Sequence, residues 1–569
     1  MKKKVLGLST VVLATSIFAV ACGGDDNLEE AMQEERNDAE ENNNNADAGE
    51  EADNDTNENE GNEEASGEAQ DGGDLTIGIV SDPVQFLPTH SSDTASGDIE
   101  DIVFNQLVRI DEEIEIQPEL AVDWEESEDG LTYTFEIHEG VTFHDGEPLT
   151  ADDVAFTFNI FIDEDYTGPR GGYFRALEEV EALDETTVEF RLSEPDARFL
   201  GNLGFGIMPE HILGDVPATE LEEHDFTRDP VGSGPFEFDT WEDGQYVQLT
   251  AYEDYWEGAP HLDRLTLSIV GDQNAMMAQI EGGDIEMGVV PATDFSTAER
   301  WDEEGLVTLS STLGYQYNYM GYNTRLDMFS DKETRQALTH AIDRQTIIDQ
   351  VGQGQGEVAH GPVSPLSWAY PDSMPEFEYD PDLARELLEE AGWEEGGDGI
   401  LERDGERFSF TLKTNSGNQI REDIAVIIQS MLNEVGVEVD VEYVEWGAFL
   451  DQIYPPNWDF DAIILGWALG TDPDPRAIWH TEEIEQGQNY TGFSRDDVDE
   501  LIDENVLIVD QDERAEALHE IFEIIAEEQP YTFLYYPNDL VAIPTNLEGF
   551  IHHPRLSYYK PHEWYFTAE

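Results

Sequence analysis

The stretch IREDIAVIIQSMLNEVGVEVDVEY, residues 420–443, decides the fold class. Ile420, Ile424, Ile427, Ile428, Met431 and Val435 recur at helical spacing and mark one apolar face. Gly436 then supplies the residue type that ends a helix in the left-handed conformation. Directly after it, Val437, Val439, Val441 and Tyr443 alternate with polar neighbours, as a half-buried strand does. A helix that runs straight into a strand is half of an α/β unit.

Outward from this stretch the same grammar repeats. Asp380-Pro381 reads as an N-cap with proline at the first helical position, ahead of Leu383, Leu387 and Leu388, with a stop at Gly392. Ser330-Asp331-Lys332-Glu333 reads as a capping box opening one amphipathic helix through Ala337, Leu338, Ala341, Ile342 and Ile348. Ile463-Ile464-Leu465 reads as a buried strand. In the first half, Leu131, Tyr133, Phe135 and Ile137 form an alternating strand, and so do Val188, Phe190 and Leu192, and Leu265, Leu267 and Ile269. Thr150-Ala151-Asp152-Asp153 is a second capping box, opening a helix through Val154 and Phe158.

The N-terminus has a different character. Lys2, Lys3 and Lys4 precede an apolar run from Val5 to Val20, and Ala19-Val20-Ala21 places small residues before Cys22. This is the layout of a secretory signal peptide, residues 1–21, and the run is too short to span a bilayer. Cys22 is the one cysteine of the chain. Its position resembles the lipobox of bacterial lipoproteins, in which the thiol is acylated; the alternative is an ordinary signal peptide with an incidental cysteine. Residues 22–74 read as an acidic, lipid-anchored leash: positions 23–74 hold 21 acidic side chains, one arginine and few large apolar groups. Such a segment cannot bury enough apolar surface to offset chain entropy.

Acid dominates the remainder too. The chain has 130 Asp and Glu against 26 Lys and Arg, a formal net charge of −104. Beyond residue 74 the only lysines are Lys332, Lys413 and Lys560. Self-repulsion of this order is screened by salt, so the expectation is a protein of strong brine; the alternative is an acidic face for a cationic partner. Nucleic-acid binding is excluded by the lack of a basic patch. About 495 residues follow the leash, enough for two to four domains.

Six segments, read in order, resemble the solute-binding proteins of dipeptide/oligopeptide ABC importers, the peptide/nickel-type family. They are 118–158 with its core FHDGEPLTADDV, 229–256 with DPVGSGPFEF, 323–351 with RQALTHAIDR, 379–393 (YDPDLARELLEEAGW), 466–475 (GWALGTDPDP) and 528–537 (EQPYTFLYYP). His138 departs from the pattern, where the family often has a basic residue. The resemblance implies a two-lobed periplasmic-binding-protein-like α/β fold with an extra subdomain inserted in the first lobe. Mapped here, lobe I is 75–109, 230–314 and 533–569, the inserted subdomain 110–229, and lobe II 315–532, with crossings near Tyr315 and Phe533. It also implies delivery of peptide to an ABC permease with its ATPase; the signal peptide and Cys22 give the expectation of a chain attached to the membrane outside the cytoplasm, and a monomer is expected. No cofactor, metal or catalytic residue is expected.

The resemblance also implies site residues. Relatives bind the peptide amino terminus with an aspartate shortly after a Gly-Trp pair. Here Leu469 or Gly470 occupies that position, and Asp472 is the nearest carboxylate; otherwise Asp472 caps the turn before Pro473. Trp446 and Trp467 match cleft-lining aromatics, or else are core tryptophans. Asn415 matches a ligand-proximal position, or else a strand-end turn. Thr94 and Ala95, in a Ser-Thr-Gly-rich loop, are candidates from lobe I.

Other readings remain beside the peptide one. The departure in GWALGTDPDP leaves room for a nickel complex, an oligosaccharide or another small solute. His552-His553, the adjacent histidine pair, reads as a surface strand or loop end and not a metal site. A surface sensor of peptides without transport is also compatible. A hydrolase is not indicated: there is neither a Gly-x-Ser-x-Gly elbow nor a His-Glu-x-x-His helix, and Ser233 lies in a Gly-x-Gly-Pro turn.

Overall fold

A computed structural model describes residues 69–70 and 72–568. The expected signal peptide, the lipidation site Cys22 and nearly all of the acidic leash lie outside the described residues.

Strand β1 (Asp74–Ile79) leads to helix α1 (Thr94–Val103). Asp93 caps α1, accepting from the Ser96 amide at 2.9 Å and the Ser96 hydroxyl at 2.6 Å. An antiparallel sheet follows, built from β2 (Ala121–Glu126), β3 (Thr132–Ile137), β4 (Leu177–Ala182) and β5 (Thr187–Leu192) in the order β2-β3-β5-β4. Helix α2 (Ala151–Ile162) packs on β4 and β5. Its capping box forms as expected, with Asp153 Oδ2 accepting from the Thr150 amide at 2.8 Å. Phe135, Val154, Phe158 and Phe190 belong to this sheet's own core.

The chain then makes β6 (Phe236–Glu242), β7 (Tyr246–Ala251), β8 (Arg264–Ile269), β9 (Met287–Val289) and β10 (Thr308–Leu313). Just before β6, Gly232 and Gly234 press against the last turn of α1. A Cβ at Gly232 would fall 1.9 Å from the Val103 carbonyl oxygen, which is why this turn takes glycine. Ser233 is fully buried between them.

After β11 (Gln316–Tyr322) come α3 (Lys332–His340), α4 (Arg344–Val351), α5 (Pro381–Glu390), β12 (Ser409–Asn415), α6 (Gln419–Glu434), β13 (Glu438–Val444), α7 (Trp446–Ile453), β14 (Ala462–Ala468), α8 (Gln511–Glu528) and β15 (Tyr531–Ile543). The decisive stretch is thus α6 and β13, with Gly436 at φ 87° between them. Ile424, Ile428 and Leu432 are fully buried in one core that also holds Val437 and Ala337. Each such side chain contributes roughly 1.5–3 kcal/mol on leaving water.

Two readings of helix ends are corrected. The cap of α3 is Asp331, not Ser330: its carboxylate accepts from the Thr334 amide at 2.9 Å and also pairs with Arg403. The single helix expected through Ile348 is two, because Asp343 caps α4 by accepting from the Thr346 amide at 3.0 Å.

Among the described residues twelve strands form one sheet, whose main path is β13-β12-β14-β11-β15-β9-β1-β8-β7-β6. β15 belongs to both halves. Its first residues pair with β11, Tyr531 opposite Gly321 and Phe533 opposite Tyr319. Its last pair with β10, Asn538 opposite Leu313 through Ile543 opposite Thr308, and with β9. The neighbouring pair β10 and β11 switches halves at Gly314-Tyr315. Two antiparallel chain segments therefore join the half-sheets, the arrangement of a two-lobed binding protein.

Candidate functional site

The loop after β14 and the helix α1 face one another across a cleft. Among the described residues three cavities run along it. The first, about 570 Å³, is walled by Tyr315, Trp467, Leu469, Gly470, Arg175 and Arg198. The second, about 470 Å³, is lined by Thr94, Asp98, Asp101, Arg170, Thr471 and Arg555. The third, about 320 Å³, lies over the ends of β1 and β9 beside Ala95. The first two share Tyr173, Asn202, Gly470 and Asp472, and the last two share Thr94, Asp98, Arg555 and Leu556. The cleft is continuous.

Trp467 ends an aromatic stack. Its ring lies 5.7 Å from Tyr490 and nearly parallel to Tyr319, which in turn stacks on Tyr531 at 3.9 Å. Its indole N–H donates to the Tyr531 hydroxyl at 3.4 Å. The ring is half-buried and fixed, a rigid wall offered with little further ordering cost. Leu469 continues the ladder beyond β14, its amide donating to the Tyr315 carbonyl at 2.9 Å. Gly470 is exposed and brings bare backbone to the wall.

Asp472 lies on two of the cavities, but its carboxylate has partners within the protein. Arg514, only 2% exposed on α8, donates Nη2 to Oδ1 at 2.8 Å and Nη1 to Oδ2 at 2.5 Å, and the Asp474 amide donates to Oδ1 at 2.9 Å. What faces the cleft there is an ion pair. Two residues on, Asp474 accepts from Arg198 at 3.0 Å, and Arg198 also forks onto buried Asp196. Burial pushes the Asp474 carboxyl up, while Arg198 opposes the shift.

Thr94 and Ala95 lie not in a loop but in the first turn of α1, because Asp93 caps a helix there; Thr94 lines the second and third cavities and Ala95 the third. Trp446 and Asn415 line none of the three. Trp446 is 46% exposed and stacks on Phe449 at 6.1 Å. Asn415 accepts from Arg421 Nη1 at 2.9 Å. The pair His552-His553 lies in a loop: His552 is half-buried and lines the third cavity, whereas His553 is buried, with Nε2 bonded to the Asp111 carbonyl at 2.7 Å and Nδ1 accepting from the Arg555 and Leu556 amides.

Several cleft residues carry no sequence motif. On α1, burial raises the carboxyls of Asp98 to about 7 and Glu100 to about 8. Arg170 reaches from the four-stranded subdomain to the Ser91 carbonyl, with Nε donating at 2.9 Å. Arg555 Nε donates to the Thr471 hydroxyl at 3.4 Å. Away from these cavities, Arg421 is half-buried and held by Asn415, with no carboxylate among the described residues within ion-pair distance. In a chain so poor in cations, arginines kept for the cleft are the signal that composition gives in hindsight.

Comparison with known proteins places this geometry. The model of the bacterial extracellular solute-binding proteins, family 5 middle region, matches residues 115–486. The oligopeptide-binding protein AppA of Bacillus subtilis is 45% identical over 504 residues, 88% of this chain and 92% of that one. Its structure in complex with a nonapeptide superimposes with a TM-score of 0.74, covering 88% of this chain and 100% of that one. The ABC transporter substrate-binding protein CtaP of Listeria monocytogenes, 28% identical, superimposes with a TM-score of 0.79 at the same coverage. The cleft, the crossing strands and these likenesses together establish that the chain belongs to the family 5 bacterial extracellular solute-binding proteins.

Proposed function

We propose that the protein captures oligopeptides outside the cytoplasm and delivers them to the permease of an ABC importer. The observation that carries this reading is the continuous cleft between the half-sheets, combined with the 45% identity to an oligopeptide-binding protein. An extended peptide suits such a groove, because its main chain can pair with wall backbone while side chains enter separate recesses. Closure follows from the joining segments: β15 and the β10–β11 pair hinge two rigid halves, and bound ligand favours the shut form through contacts made only there.

The lobe boundaries given above, a lipid anchor on Cys22, a monomeric state and an acidic surface adapted to brine complete the proposal. A second acyl chain on the same cysteine is what would hold the leash to a membrane stably. With Asp472 paired to Arg514, amine recognition at that position would have to compete with an internal arginine. Main-chain pairing and aromatic walls therefore carry more of the affinity.

Titration calorimetry with nonapeptides in concentrated salt, together with solution scattering, tests the reading. Binding heat and a smaller radius of gyration with peptide are expected. No heat and superimposable scattering would overturn it, and a nickel chelate or oligosaccharide co-purified from the native source would redirect it to another solute.

A further inference from the structure

The third cavity differs in chemistry from the rest of the cleft. Val80 and Val289, at the ends of β1 and β9, are 55% and 56% exposed, and Val541, Phe550 and Leu556 stand beside them. In a chain of 130 acidic residues, two exposed valines in a concave recess walled by further, half-buried apolar side chains are an unusual use of surface. No cation is offered at its floor. The His552 imidazole is neutral at pH 7, since burial lowers it to about 4, and its Nδ1 is bonded to Ser310. Arg555 at the rim turns to Thr471. The carboxyls on the edge belong to Asp98, raised to about 7 by burial, and Asp539, raised to about 6, so that at neutral pH Asp539 is mostly and Asp98 partly ionised and neither favours an acidic guest.

The recess opens into the central cavity through Thr94, Asp98, Arg555 and Leu556. A main chain lying in that cavity can therefore send one side chain into it. We propose that this recess is the subsite for a large apolar side chain, aromatic or branched aliphatic, of the bound peptide, and that Val80 and Val289 set the preference. The inference rests on the peptide-binding reading. It adds selectivity to a cleft otherwise suited to main-chain recognition. A volume of about 320 Å³ accommodates such a group while its apolar surface leaves water.

The test uses alanine-serine nonapeptides in which a single phenylalanine is scanned through the nine positions, measured by titration calorimetry in concentrated salt. At one position the phenylalanine peptide should bind the wild-type protein about tenfold to thirtyfold more tightly than its alanine counterpart. Val289→Asp and, independently, Val80→Asp should each bring that ratio close to one. Both residues are exposed, so a folding defect shared by the two is not expected, and Val289→Ala should give an intermediate ratio. A wild-type ratio near one at every position, or a ratio that survives in both aspartate variants, overturns the subsite alone. Absence of heat with every nonapeptide overturns the peptide reading with it.

Discussion

Arg198, in the segment following β5, and Asp474, in the loop following β14, meet across the cleft, with Nη1 donating to Oδ2 at 3.0 Å. The two are 276 residues apart in sequence and line the same cavity. Nearby, the Ala197 amide donates to the Val506 carbonyl at 2.9 Å, so the four-stranded subdomain is fastened to the far side at two points.

Arg198→Ala should therefore loosen the closed form. Peptide dissociation is expected to speed up about fivefold, the scale of one partly buried charge-assisted bond. Stopped-flow release of a fluorescent peptide reads this directly. The charge-swapped double variant, Arg198→Asp with Asp474→Arg, should recover part of the loss, although Asp196 will oppose the new aspartate.

Asp472→Asn is expected to act on stability before it acts on recognition. It would leave Arg514 buried without a full counter-charge, at a cost of about 3 kcal/mol. Denaturant unfolding should show the loss. Affinities for free-amine and N-acetylated peptides should fall together; a loss confined to free-amine peptides would instead make Asp472 the amine's partner.

Glu100 gives a pH dependence with a definite sign. Its carboxyl titrates near 8 in the fold against about 4.5 when unfolded, because burial opposes the charge. The folded chain then holds the proton more tightly, so stability falls as pH rises from about 4.5 to 8. Glu100→Gln should flatten that part of the profile, leaving the variant more stable than wild type at pH 8.5 and not at pH 5. Urea midpoints at the two pH values decide it.

Salt should stabilise the fold strongly. Between about 0.1 M and 1 M ionic strength the screening length falls from roughly 10 Å to 3 Å, which removes most repulsion between neighbouring surface carboxylates. A thermal midpoint that climbs steeply over this range is expected, and one that stays level would speak against the brine reading.

Much of the frame could be read from sequence because it is written locally. The α6–β13 unit follows from periodicity and one glycine, and Asp380-Pro381 caps α5 by accepting from the Asp382 and Leu383 amides. Misreadings arose where two local signals competed, as at Ser330 beside Asp331, or where Asp343 interrupts an otherwise continuous apolar face. The site was less legible. The GWALGTDPDP loop drew attention to the correct wall, but nothing in its composition names Arg514, 42 residues away, as the partner of Asp472. Trp446 and Trp467 look alike as isolated tryptophans. Only the stack on Tyr319 and Tyr490 separates a cleft wall from an exposed helix start. The valines of the apolar recess lie at the ends of strands that run parallel to one another or antiparallel to β15, so their proximity exists only once the sheet is assembled.

The 13-residue strand β15 has one more effect. Since it supplies ladder partners to either half of the sheet, melting one half strips the other of an edge it needs. The molecule should denature in a single calorimetric step with matching van't Hoff and measured enthalpies, and amide exchange along Thr532–Ala542 should be among its slowest.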